Sequence, residues 1–314
     1  MPKYPLILSL LLVFALGCER EAGEEEQLPV IFGAPAGAED ETRAGGGVID
    51  VGNLASMGVF ASYTGQSDWS EDAAPNFMYN QLVEKSGTWT YTPLKYWPNT
   101  TGDKLTFFAY APHTDNTNNS LLLATDNTTA GYPKLSYTVP ANAANQIDLL
   151  AAVPLKDKTR GSELSFEMGH VLTHVSFKLT SAKAISVTKL TVNEGLATSS
   201  LSFTESGYSW NLGSDATTTD FSATTPTSVE AGTQTDIGNF FLLPQNATSI
   251  TLTYTASGGG GGSQTVTQDL PTEPAWEMGK TIAYTLSIDG NVTPTSVSKN
   301  GENAHLSVSA ISTF

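Results

Sequence analysis

Few residues in this chain have types and spacing suited to chemistry. Cys18 is the single cysteine, so an intrachain disulfide is excluded. His170 and His174 stand four apart, a spacing that on a helix would aim both imidazoles at one zinc ion. Their neighbours Val171, Leu172, Val175 and Phe177 favour a strand instead, where residues four apart lie about 13 Å from each other. That distance is too long to share an ion, and no cysteine or carboxylate stands beside them at ligand spacing. The expectation is core or interface histidines, with no metal and no cofactor. Gly279-Lys280-Thr281 ends like a phosphate-binding loop, but Pro274 occupies the position of that motif's first glycine. The segment then runs into TIAYTLSI, a strand, where the motif needs a helix N-terminus. Asp68, Glu71 and Asp72 crowd a polar loop, whereas a glycosidase needs two carboxylates held in a defined cleft. With no G-x-S-x-G elbow either, the residues point away from an enzyme.

Cys18 acquires meaning from what precedes it. Lys3 supplies a positive charge, Leu6 to Leu16 form an apolar run, and Ala15-Leu16-Gly17 leads into the cysteine. The run is too short to cross a bilayer, which takes roughly 20 residues, and reads as an export signal over residues 1–18. Its end resembles a bacterial lipobox, with Ala15 where leucine is usual. Acyl chains on Cys18 would hold the protein at a membrane, each buried methylene adding roughly 0.8 kcal/mol. Glu19, Glu21, Glu24, Glu25 and Glu26 follow as a solvated acidic tether. The cluster is also similar to the tag that directs some lipoproteins to the outer face of the outer membrane. The whole chain carries a net charge of −16, which repels phosphate backbones and excludes nucleic acid as a partner.

The elements that position these residues are strands. Short alternating runs recur between Gly, Pro, Asn and Asp, among them Met57–Tyr63, Leu105–Ala111, Leu172–Leu179, Ile185–Val192, Thr281–Ile288 and His305–Ile311. SITLTYTASGGGGGSQTVTQDL reads as a hairpin around five glycines, and SFKLTSAKAISVTKLTV as two strands joined by a polar turn. No long window keeps a 3.6-residue period, so helices should be few and short. The fold class is all-β, built of β-sandwiches, and the length suggests two domains. A join is expected near Glu167–His170, dividing 44–168 from 169–314. The aromatic stretch WTYTPLKYWP places Trp89 and Tyr91 on one strand face as core, with sugar stacking, above all at Trp97, as the competing reading.

Several of these pieces, in order, resemble the fimbrillin family of pilus subunits. They are the lipobox at Cys18, VIFGAPAGAEDETRAGG, LTFFAYAPH, DLLAAVP, LSFEMGHVLTHVSFKL, FFLLPQ and WEMGKTIAYTLSI. Met168-Gly169 ahead of His170 departs from the family's compact F-x-H pattern. The resemblance implies two tandem transthyretin-like β-sandwiches, preceded by a propeptide over 19–43. It further implies an outer-membrane lipoprotein precursor cut by a trypsin-like, Arg-specific protease, here between Arg43 and Ala44. The cut would remove a first strand at Leu28–Phe32, uncovering Leu28, Val30, Ile31 and Phe32 and opening a groove that a strand from another pilus subunit fills. Thr42-Arg43-Ala44 sits among Gly, Glu and Asp, as an accessible cleavage site should.

The candidate donor is the tail after Gly290, above all HLSVSAISTF, where Leu306, Val308 and Ala310 alternate with Ser307, Ser309 and Ile311. Completion of its own domain is the equal alternative. A tail of that length leans towards a stalk-like subunit over a tip. The expected role is therefore a cell-surface fimbrial subunit that mediates adhesion to a host or bacterial surface ligand. The alternative is a surface lipoprotein that binds glycan or a host ligand without polymerising.

Overall fold

A computed structural model describes residues 27–37, 51–117, 120–124, 126–213, 217–256, 262–272, 275–289 and the backbone of 305–313. Within them the chain forms four β-sheets and a single short 3-10 turn, Ala143–Asn145. The first sheet has eight strands. Its order is Ala36–Gly37, Glu167–His170, Leu150–Ala152, Lys104–Ala111, Ser56–Tyr63, Met78–Ser86 and Thr88–Thr90, with Leu155–Thr159 also paired to Lys104–Ala111. Its central strands are buried at successive positions: Leu105 to Ala111 are all covered, Thr106 included. Such a run is the mark of a strand covered on both faces.

Each face has its own cover. Phe60, Phe108 and Tyr110 pack towards Leu135, Tyr137, Leu201 and Phe203. These belong to a second sheet of Gly207–Asn211, Thr198–Thr204, Lys134–Thr138 and Leu121–Leu123. That sheet takes two strands from each side of the expected 168/169 join, with Thr198–Thr204 antiparallel to Lys134–Thr138. On the opposite face Val59, Ala61, Leu105 and Phe107 pack with Val30, Phe32, Trp89, Trp97, Leu164 and Phe166.

The third sheet runs Thr235–Leu242, Thr173–Ser181, Thr281–Asp289, His305–Thr313. The fourth runs Thr218–Ala223, Ile185–Leu196, Ser249–Ala256, Gln264–Asp269, with Thr227–Val229 beside Ile185–Leu196. Val175, Phe177, Leu190, Leu252 and Tyr284 fill the core between them, and Phe177 stacks on Tyr284 with ring centroids 5.2 Å apart. Sheet membership changes between His170 and Thr173. The expected glycine-loop hairpin forms, from Ser249 opposite Asp269 to Tyr254 opposite Gln264. The two strands of SFKLTSAKAISVTKLTV enter different sheets, because their connecting turn carries the chain from one layer to the other. Strands such as Met78–Ser86 and Leu155–Thr159 were not legible, since the first buries only Met78 and Val83 and the second nothing.

Candidate functional site

The segment 27–37 threads between two pieces of chain that do not touch it in sequence. On one side it runs antiparallel to residues 95–97: the Val30 amide donates to the Lys95 carbonyl at 2.9 Å, and the Trp97 amide to the Leu28 carbonyl at 2.9 Å. It then changes partner. The Gly33 amide donates to the Leu164 carbonyl and the Ala36 amide to the Phe166 carbonyl, both at 2.8 Å, as the chain runs parallel to Leu164–Met168. Two side chains clamp the same backbone. The Tyr91 hydroxyl donates to the Val30 carbonyl at 2.8 Å, and the Ser165 hydroxyl to the Ala34 carbonyl at 2.7 Å.

Val30 and Phe32 drive inward and are 0 % and 3 % exposed. Phe32 sits in an aromatic cage, its ring centroid 5.5 Å from Tyr91, 5.9 Å from Phe107 and 5.8 Å from Phe166. Pro35 is buried further along. At Gly37, where φ is +76°, an added Cβ would lie 2.5 Å from the Met168 carbonyl oxygen, so the path there needs glycine.

The expectation that all four apolar residues would be covered is corrected. Leu28 is 37 % and Ile31 61 % exposed. Side chains alternate across an extended segment, and among the described residues no layer covers its outer face at Ile31. The expected continuous strand Leu28–Phe32 is likewise replaced by isolated bridges at Pro29 and Phe32 and a two-residue strand, Ala36–Gly37, because the segment switches neighbours midway. Cys18, Arg43 and Ala44 lie outside the described residues.

Other candidate groups settle into packing. Trp89 and Trp97 are core residues, 8 % and 3 % exposed, so their ring faces are not open to a sugar. His170 ends one strand, its Nδ1 3.1 Å from the buried Asp148 carboxylate. His174 stands on the next strand, stacked on Phe241 at 5.2 Å and within 3.2 Å of Asn239 Oδ1. Asp68 pairs with Lys104, which holds its carboxyl below the usual carboxylate range. Gly279 occupies a left-handed turn before the strand Thr281–Asp289.

The tail lies on its own protein. His305–Thr313 runs antiparallel to Thr281–Asp289 at the edge of the third sheet, with a register shift between Thr285 and Leu286. Leu306 and Val308 stand opposite Ile288 and Leu286, whereas Ala310 stands opposite Thr285.

Sequence reasoning missed the partners of the N-terminal segment: Tyr91, Lys95, Leu164 and Phe166. The alternation Leu164-Ser-Phe166-Glu-Met168, with all three apolar residues buried, was the available signal.

These features define an all-β protein of stacked sheets in which an early segment closes a core that later strands build. The chain belongs to the fimbrillin-like family, whose profile matches residues 42–300. A stretch of 137 residues is 33% identical to the fimbrium subunit Fim1C of Phocaeicola vulgatus. It covers 39% of this chain, and the match spans about a third of that relative's length (36%). The fold is similar to the crystal structure of a fimbrial protein from Bacteroides vulgatus, with a TM-score of 0.60 and 21% identity over 82% of this chain and 92% of that one. It is also similar to a candidate cell adhesion protein from Bacteroides uniformis, with a TM-score of 0.53 and 16% identity over 91% and 98% of the two chains.

Proposed function

We propose that this protein is a structural subunit of a cell-surface pilus, delivered as a lipoprotein precursor and assembled by strand exchange to mediate adhesion. The observation that carries this reading is the insertion of Val30 and Phe32 between residues 95–97 and 164–168. A cut between Arg43 and Ala44 by an Arg-specific protease leaves 27–37 attached only by noncovalent contacts. Its departure strips partners from the carbonyls of Lys95, Leu164 and Phe166 and from the Trp97 amide. It also uncovers apolar surface worth roughly 1.5–3 kcal/mol for each large side chain. A sheet edge with unpaired donors and acceptors is a template for another chain, and the strand of a neighbouring subunit restores both terms. Until the cut, a lipid on Cys18 holds the precursor at the outer membrane. The fimbrillin-like profile and the fimbrial relative support the surface role.

N-terminal sequencing of the protein recovered from cells tests the scheme. A start at Ala44 in multimers is the expected result. A lipidated Cys18 on monomeric protein contradicts it.

A further inference from the structure

The outer side of the N-terminal segment continues into an apolar face. Pro29 stands opposite Tyr96 in an antiparallel bridge, with the Val30–Lys95 and Leu28–Trp97 backbone bonds on either side. The same register brings Ile31 opposite Leu94. Opposed residues of antiparallel chains share a side, so Pro29, Ile31, Leu94 and Tyr96 form one face, turned away from the core that Val30 and Trp97 enter. Ile31 is 61 %, Leu94 47 % and Tyr96 41 % exposed, with the exposed Leu28 at the rim. Leu28, Ile31, Leu94 and Tyr96 are half of the eight large apolar side chains exposed among the described residues. Singly scattered ones are ordinary, whereas a cluster marks a contact surface. Charge sets the face apart too. The whole chain has 31 acidic residues, yet residues 27–37 and 88–102, which build the face, hold none and carry one cation, Lys95. Glu163 stands beside Gly33, past the end of the face.

We propose that this face lies on the lipid surface that holds the acyl chains of Cys18. The inference rests on the lipoprotein reading above and adds to it a second, noncovalent contact with the membrane. Gln27 stands nine residues after Cys18, a stretch that reaches about 30 Å even when fully extended. A lipid on Cys18 therefore keeps the start of this segment, and the face beside it, close to the bilayer. Tyrosine suits the headgroup layer, where its ring meets lipid and its hydroxyl meets water. Apolar side chains beside it settle at the boundary between headgroups and acyl chains. A face without carboxylates avoids the cost of desolvating charge. Release of residues 27–37 takes Pro29 and Ile31 away, so the contact belongs to the uncut precursor.

Cys18 is the single cysteine, so acylation leaves the precursor without a free thiol, and Leu94→Cys introduces one on the face. Full-length precursor carrying a fluorescent label there, reconstituted in vesicles of phosphatidylethanolamine and phosphatidylglycerol, should be quenched by nitroxide-bearing headgroups. The same label at Leu212→Cys, 41 % exposed and outside the face, should show little quenching. Adding Ile31→Asp should lower the quenching at position 94 about twofold or more, and Ile31→Ala should lower it less. Labels at 94 and 212 quenched alike would overturn the contact. So would shielding at 94 that grows with protein density and ignores the nitroxide, which would assign the face to a second copy. Mass spectrometry of the N-terminal peptide separates the two readings. An unacylated Cys18 overturns the lipoprotein reading and the contact with it, whereas acylated protein whose label at 94 stays in water overturns the contact alone.

Discussion

The Tyr91 hydroxyl lies 2.8 Å from the Val30 carbonyl, and the same hydroxyl lies 3.3 Å from the Lys95 carbonyl and the Lys95 amide. One phenol thus ties the N-terminal segment to residues 95–97 beside it. Tyr91→Phe removes these bonds and keeps the ring that packs on Phe32. The expected loss is about 0.5–1.5 kcal/mol of stability, seen as a lower Tm, with faster release of the N-terminal fragment after cleavage at Arg43.

Phe32 and Ile31 are neighbours with opposite fates. Phe32→Ala empties an aromatic cage and should cost about 3–5 kcal/mol. Ile31→Ala, on the solvent side, should change stability by no more than about 0.5 kcal/mol. Urea unfolding of both variants checks the contrast, and similar costs for the two would show that the segment packs some other way.

Gly169 is covered by Tyr208. A Cβ at Gly169 would lie 2.0 Å from the Tyr208 hydroxyl oxygen. Gly169→Ala should therefore cost about 1–3 kcal/mol, and adding Tyr208→Phe should recover part of that loss. A double-mutant cycle in denaturant measures the coupling, and strictly additive effects would exclude the contact.

The hairpin carrying Tyr208 has a larger consequence. Thr198–Thr204 pairs with Lys134–Thr138 and puts Leu201 and Phe203 into the core above the first sheet. A fragment ending at residue 168 lacks these strands and leaves Leu135 and Tyr137 uncovered. Its amide spectrum should show poor dispersion, whereas a fragment extended through residue 289 should be folded.

His113 gives stability a pH dependence. Burial pushes its imidazole below the ordinary value of 6.5, against smaller opposing effects from the Asn80 carbonyl, Asp115 and Glu84. The unfolded chain therefore takes up a proton there before the folded chain does. This contribution is intact above pH 6.5, is lost as pH falls through 6.5 towards the lowered folded value, and levels off below it. Urea midpoints measured across that window should fall less steeply for His113→Gln than for the unmodified protein.

Sequence and tertiary structure divided the determination of this protein along a physical line. Alternation along SITLTYT and TIAYTLSI, with glycine and proline between runs, dictates an all-β chain, because a period of two leaves an apolar face only in extended backbone. The strand after Lys280 and the burial of Trp89 follow from the same local logic. Pairing across long sequence distances does not. Nothing in the stretch around Phe32 announces that its neighbours are Leu164 and Lys95, nor that Ile31 faces water. Nor does the hairpin around Tyr208 declare that it completes a sheet begun at Leu121. Hydrogen-bond partners and covered faces are properties of the assembled layers, and a residue's own neighbours carry no record of which layer will arrive.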